Sequence, residues 1–206
     1  ELLPAVRAAG SYIAAMAAGR ALDPDSLSIA TKADPTDFVT QVDREVERRL
    51  VTWLQQRYPH TGVLAEEGSR SNPGAEYTWV LDPLDGTRNF IKGHPGYNVS
   101  LGLVQGSRPV LGVVYDIEAD DMYWAARDQG AWLNSRRLQV ANESDASLCV
   151  AGVGYPTPAR NDPRNQERYL RLLNGSAGLR QGGAVARDLA LVARGALDGF
   201  WQPTLS

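Results

Sequence analysis

Trp79-Val80-Leu81-Asp82-Pro83-Leu84-Asp85-Gly86-Thr87-Arg88-Asn89-Phe90 begins as an apolar strand and delivers two carboxylates three residues apart into a turn. Pro83 keeps the intervening backbone extended, so the Asp82 and Asp85 side chains and the Leu84 carbonyl can converge on one point. An all-oxygen set of this kind suits Mg2+ or a similar hard cation rather than zinc. Gly86 permits a tight turn, after which the Gly86 and Thr87 N–H groups and the Thr87 hydroxyl can meet an anion. A helix starting at about residues 87–89 would add the favourable potential of its N-terminus. Adjacent cation and anion sites form the arrangement for metal-assisted phosphoryl chemistry. Taken alone, the same residue types also read as an exposed turn.

A second acidic pair supports the site. Glu66-Glu67-Gly68 ends a further strand, Val63-Leu64-Ala65, and a carboxylate at the end of a neighbouring strand is where a third metal ligand would come from. Two other uses of the motif fail. The haloacid dehalogenase phosphatases carry D-x-D-G-T with a nucleophilic first aspartate, and Pro83 occupies that position here. EF-hand calcium loops need oxygen ligands at alternate positions and a late glutamate, a pattern that Asp82-Pro83-Leu84 breaks.

Working outward, residues 2–20 read as an alanine-rich amphipathic helix and 23–37 as irregular. Thr40 caps a second helix with Asp43 three residues on. Val42, Val46, Leu50, Trp53 and Leu54 form its apolar face, while Arg44, Glu47, Arg48 and Gln55 face water, and the helix stops before Pro59. Strands are expected at 62–65, 77–81, 97–104, 110–115, 122–126 and 147–153, and helices at 163–173 and from Gly182-Gly183 to Arg194. This order is that of an α+β or layered α/β fold, with one lobe over 1–145 carrying the acidic motifs and a second beginning at 146–206.

Composition limits the function classes. The 206 residues are 43% hydrophobic and carry a net charge of −3, which leaves no basic footprint for nucleic acid or an anionic membrane. No run approaches the roughly 18 consecutive apolar residues of a membrane span. The single cysteine, Cys149, lies in an apolar run and reads as a small buried hydrophobe in a reducing, cytoplasmic setting. His60 and His94 lack metal-ligand spacing and read as surface residues.

Together the motifs resemble the inositol monophosphatase family, Mg2+-dependent, lithium-sensitive phosphatases related to 3′-phosphoadenosine phosphatases and fructose-1,6-bisphosphatase. The resemblance runs in order through Lys32, Asp37-Phe38-Val39-Thr40-Gln41-Val42-Asp43, Ala65-Glu66-Glu67-Gly68-Ser69, residues 79–90, Gly112-Val113-Val114-Tyr115-Asp116, Gly130-Ala131-Trp132-Leu133-Asn134 and Gly195-Ala196-Leu197-Asp198-Gly199-Phe200-Trp201. It implies an αβαβα sandwich and a homodimer. It also implies two or three Mg2+ ions: Glu66, Asp82 and the Leu84 carbonyl on the first, Asp82 and Asp85 on the second, Glu66 with waters on a third. By the same resemblance Asp43, Glu66 and Thr87 are catalytic, with Asp43 accepting from the Thr87 hydroxyl so that Thr87 can take a proton from the attacking water. Gly86 and Thr87 bind the phosphate, and Asp85, Gly183, Val185 and Gln202 face the substrate alcohol. The implied reaction is hydrolysis of a small phosphate monoester, inositol 1-phosphate first, with 3′-phosphoadenosine 5′-phosphate, histidinol phosphate and fructose 1,6-bisphosphate as rivals. Gln202 stands where inositol-selective members carry glutamate, and Arg88 where a threonine is common. The Trp-Asp stretch that completes the family's second metal site is not among the 206 residues, so the expected C-terminal lobe is incomplete, and a non-catalytic regulatory or scaffolding homologue is the alternative of another class.

Overall fold

The computed structural model describes residues 1–22, 28–31, 38–156, 159 and 161–204; Lys32 and Asp37 lie outside them. Helix α1 (Leu2–Leu22) is followed by a short antiparallel pair, β1 (Ile29–Thr31) and β2 (Phe38–Thr40), and by α2 (Gln41–Arg57). An eight-stranded sheet comes next, from β3 (Gly62–Ala65), β4 (Arg70–Ser71), β5 (Tyr77–Asp85), β6 (Asn98–Gln105), β7 (Arg108–Asp116), β8 (Asp121–Ala126), β9 (Gly130–Leu133) and β10 (Arg136–Arg137), with the six-residue α3 (Thr87–Lys92) between β5 and β6. Its order is β10-β9-β8-β7-β6-β5-β3-β4, and every pairing is antiparallel except β3 with β5. Both edge strands are two residues long and carry Arg70, Arg136 and Arg137, which blunts them against pairing with another chain.

The remaining elements are β11 (Val150–Val153), α4 (Pro163–Gly175), β12 (Gly178–Arg180), α5 (Val185–Ala193) and β13 (Gly199–Trp201). The three strands form a parallel sheet of order β12-β11-β13. Helices α1 and α2 pack on the large sheet, burying Val6, Ile13, Val42, Val46 and Leu54 against Leu81, Val99, Leu101 and Val113. Helix α5 packs against both sheets, and α4 against β12, which gives the layered α/β sandwich that the sequence predicts.

Several expectations need correction. Glu47 does not face water: it is 4% exposed, because its carboxylate accepts from the Glu67 N–H at 2.7 Å and the Ser69 N–H at 3.0 Å and so anchors the turn after β3. Residues 147 and 148 of the strand expected at 147–153 lie in a 3-10 turn, Ala146–Leu148, capped by Asp145, and the strand starts only at Val150. Part of 23–37 is strand β1, and the helix expected from Gly182 starts at Val185 because Gly183 takes φ +81°. Cys149 is half-buried rather than buried, its thiol held above the ordinary range by desolvation and then by Asp198, Glu143 and Asp145. By length and composition α1 is apolar enough to cross a membrane, the one such helix among the described residues. Arg7 and Arg20 interrupt it, and its Val6 and Ile13 are wholly buried in the protein core.

The site is positioned by an irregularity in β5. Asp82 pairs with Ser100 and Asp85 with Asn98, so three steps along β5 match two along β6. In a regular strand residues 82 and 85 would point to opposite faces, since side chains alternate. The extra residue of the bulge reverses that parity. Pro83 and Leu84 are both buried within it, and Asp82 and Asp85 emerge half-buried.

Candidate active site

Three chain segments bring the carboxylates together. The parallel register aligns Ala65 with Leu81, and the Glu66 N–H continues the ladder to the Leu81 carbonyl at 3.0 Å, which sets Glu66 beside Asp82. Desolvation, then the charges of Asp85 and Glu66, push the Asp82 carboxyl well above the usual carboxylate range. Asp85 is also raised, by desolvation, against the lowering effect of three donors: Asn98 Nδ2 to Oδ2 at 3.0 Å, the Ala186 N–H to Oδ2 at 2.8 Å and the Val185 N–H to Oδ1 at 3.2 Å.

Thr87 and Asp43 form a second polar pair. Thr87 Oγ1 is 3.0 Å from Asp43 Oδ1 and 2.9 Å from the Leu84 carbonyl oxygen, either of which can accept its proton. Asp43 Oδ2 accepts from the Thr40 N–H at 2.8 Å and the Thr40 hydroxyl at 2.5 Å, completing the capping box of α2. The helix cap thus also fixes the carboxylate that faces Thr87. Burial raises the Asp43 carboxyl in spite of these hydrogen bonds. Gly86, the N-cap of α3, takes φ +89°, and a Cβ there would stand 2.8 Å from the Gly96 carbonyl oxygen, so only glycine fits this turn.

No three His, Cys, Asp or Glu side chains among the described residues are closed on one point as a finished metal cage. The donors nevertheless fit a hard divalent cation by their chemistry. Glu66, Asp82, Asp85 and the Leu84 carbonyl offer only oxygen, and the burial of Asp82 beside the charges of Asp85 and Glu66 is a cost that a cation would relieve.

The residues expected to face a substrate alcohol divide. Val185 meets Asp85 through its N–H. Gly183 lies against the Asn89 amide, whose Nδ2 donates to the Gly96 and Gly182 carbonyls, both at 2.8 Å. Gln202 follows β13, packs against Gly154 and donates to the Thr204 carbonyl at 2.6 Å. Arg88, His60 and His94 are exposed.

Sequence reasoning missed the polar residues that tie α5 to the large sheet. These are Asn98, acting through Asp85, and the ion pair of Arg187 Nε with Asp116 Oδ2 at 2.6 Å; Asn89 and Asp188, which both meet Gly182 in the turn before α5, were missed as well. A polar residue opposite Asp85 across the bulge would have pointed to Asn98, had the bulge been known. Asp188, which accepts from the Gly182 N–H, is pushed up to about 6 by burial, with Arg187 opposing and Asp85 adding to the shift. An acid with a raised folded-state pKa stabilises the fold below its unfolded value and loses that contribution as pH climbs through the folded value. Stability from this group is therefore expected to fall between about pH 4 and pH 6, by at most about 3 kcal/mol and by less to the extent that solvent screens the charge. Urea midpoints for Asp188→Asn, which can still accept from Gly182, should lack that component of the fall.

Comparison with known proteins gives the chain a family. The model of the inositol monophosphatase family matches residues 2–205. A putative Nus factor SuhB of Neisseria meningitidis is 42% identical over 81% of the chain, which spans 64% of that relative's length. An inositol-1-monophosphatase of Mesorhizobium japonicum is 38% identical over 94% of the chain and 75% of its own length. The crystal structure of the extragenic suppressor protein suhB from Bartonella henselae superposes with a TM-score of 0.90 at 31% identity, covering 100% of this chain and 78% of that one. With its Glu66, Asp82-Pro83-Leu84-Asp85-Gly86-Thr87 turn and Asp43–Thr87 contact set on this sandwich, the chain belongs to the inositol monophosphatase family.

Proposed function

We propose that the protein hydrolyses a small phosphate monoester, inositol 1-phosphate first, with Mg2+ and an activated water and without a phospho-enzyme. The observation that carries this reading is the Thr87 hydroxyl standing 3.0 Å from Asp43 beside the gathered oxygens of Glu66, Asp82 and Asp85. Glu66, Asp82, the Leu84 carbonyl and Asp85 would hold the cation, which when bound supplies neutralisation of phosphate charge and acidity to water.

The chain's own residues do the rest. Thr87, by giving its proton to Asp43, turns a lone pair outward to accept one from the attacking water. Asp43 suits this role because burial raises the affinity of its carboxylate for a proton. The Gly86 and Thr87 N–H groups orient the phosphate for in-line displacement. Asp85, Gly183, Val185 and Gln202 would face the alcohol, and an amide at Gln202 both donates and accepts, which widens the range of alcohols over that of a glutamate. We further infer a cytoplasmic homodimer, sensitive to lithium, whose residues 1–145 and 146–206 belong to separate lobes and which binds neither nucleic acid nor membrane.

The test is phosphate release from inositol 1-phosphate, 3′-phosphoadenosine 5′-phosphate, histidinol phosphate and fructose 1,6-bisphosphate, with Mg2+ and with chelator. Release that needs Mg2+ and is fastest on inositol 1-phosphate is expected. Equal, feeble rates on all four would overturn the substrate assignment. A second reading, a regulatory homologue without turnover, draws on the name Nus factor borne by the relatives from Neisseria meningitidis and Pseudomonas aeruginosa. Calorimetry showing no Mg2+ uptake, together with no phosphate release, would favour it.

A further inference from the structure

Asn98 opens β6 with 0% of its surface exposed. Its Nδ2 donates to Asp85 Oδ2 at 3.0 Å, while its Oδ1 is buried with no hydrogen-bond partner. The amide cannot be turned over to repair this, because Oδ1 would then face a carboxylate oxygen. A buried acceptor left unmet costs stability, and an apolar side chain of the same shape would avoid that cost. Packing alone therefore does not account for asparagine at this position; its one bond, to Asp85, is what distinguishes it from an apolar side chain.

The surroundings supply one. Asp85 caps α5 from another element: the helix's own N-cap, Ala184, has no side-chain hydrogen bond to offer, and the Val185 and Ala186 N–H groups turn to Asp85 instead. Arg187, in the same first turn, is fastened to Asp116, which is Asn98's register partner on β7. Backbone donors on one side and the Asn98 amide on the other thus hold the Asp85 carboxylate in a single orientation.

We propose that Asn98 is a positioning residue for Asp85, presenting it to the divalent cation in a fixed orientation at the expense of stability. The proposal rests on the assignment of Asp85 as a metal ligand made above. Residues that orient a ligand without touching the metal typically account for about 10- to 100-fold in metal affinity.

The test is Mg2+ and Mn2+ titration by calorimetry on the 206-residue chain, with thermal midpoints of the metal-free proteins, for wild type, Asn98→Leu and Asn98→Ala. Leucine matches the shape of asparagine and leaves Asp85 Oδ2 its bond from Ala186. Asn98→Leu is expected to keep or raise the midpoint while weakening metal binding about 10- to 100-fold. Asn98→Ala, which opens a cavity, should weaken binding to the same degree whatever its midpoint. Unchanged affinity in both variants would overturn the proposal, and so would a midpoint that falls in Asn98→Leu without loss of affinity, the mark of a purely structural role. If the wild-type chain binds neither ion, the ligand assignment itself fails and the proposal falls with it, an outcome distinct from the other two.

Discussion

Asp82→Asn is expected to abolish Mg2+-dependent phosphate release while making the metal-free protein more stable at neutral pH. The Asp82 carboxyl is desolvated and lies within the fields of the Asp85 and Glu66 carboxylates. Its carboxylate would hold the cation that offsets several kcal/mol of developing phosphate charge, and at about 1.4 kcal/mol per tenfold the loss is on the order of 10³ or more in kcat/KM. The fold has no comparable need of that charge. The one backbone bond the side chain accepts, from the Leu84 N–H at 3.1 Å, can be kept by the asparagine carbonyl oxygen. Because the folded-state carboxyl is raised well above its unfolded value, its contribution is full at low pH and is lost as pH rises through the folded value. The variant has no such loss. Its urea midpoint should match that of the wild type near pH 3 and exceed it at pH 7 in the absence of metal, and added Mg2+ should narrow the gap by stabilising only the wild type. Retained turnover would contradict the ligand assignment; a destabilised variant at pH 7 would contradict the electrostatic account of Asp82.

The sequence made the local halves of this site legible and hid the link between them. Thr40 and Asp43 announce a helix start because capping chemistry is short-range, and the same spacing sets Asp43 where Thr87 can reach it. Asp82-Pro83-Leu84-Asp85-Gly86-Thr87 declares an oxygen-rich turn because proline and glycine fix the backbone locally. What the motif does not declare is that β5 continues through it as a strand, with a bulge that returns both carboxylates to one side. A bulge is a property of the pair of strands, and its register is not written in either one. Glu47 illustrates the same limit. Its helical position is as polar as those of Arg44 and Arg48, and only the turn at residues 67–69, twenty residues on, makes its burial favourable. The residues that fasten α5 across the sheets, Asn98, Asp116 and Arg187, each look like ordinary surface polarity until the fold sets them opposite one another.

Thr87→Val and Asp43→Asn are each expected to lower kcat by about 10²- to 10⁴-fold, the range of a general acid–base contribution, with Mg2+ affinity nearly unchanged. Neither side chain belongs to the proposed cation set, so calorimetry should separate these variants cleanly from Asp82→Asn. Valine keeps the volume of threonine but loses the hydroxyl that bonds to Asp43 Oδ1 and the Leu84 carbonyl. Asparagine at 43 leaves one oxygen for the Thr40 N–H that the capping box requires, while its amide group cannot accept the Thr87 proton. If the two residues act as one relay, removing either breaks the same path, and the double variant should be little slower than the slower single one. Multiplying penalties would mean that they work independently, and the relay would have to be given up. Thr87→Ser restores the hydroxyl without the methyl group and should recover most of the rate. Recovery with serine but not with valine would tie the loss to proton transfer rather than to packing around α3.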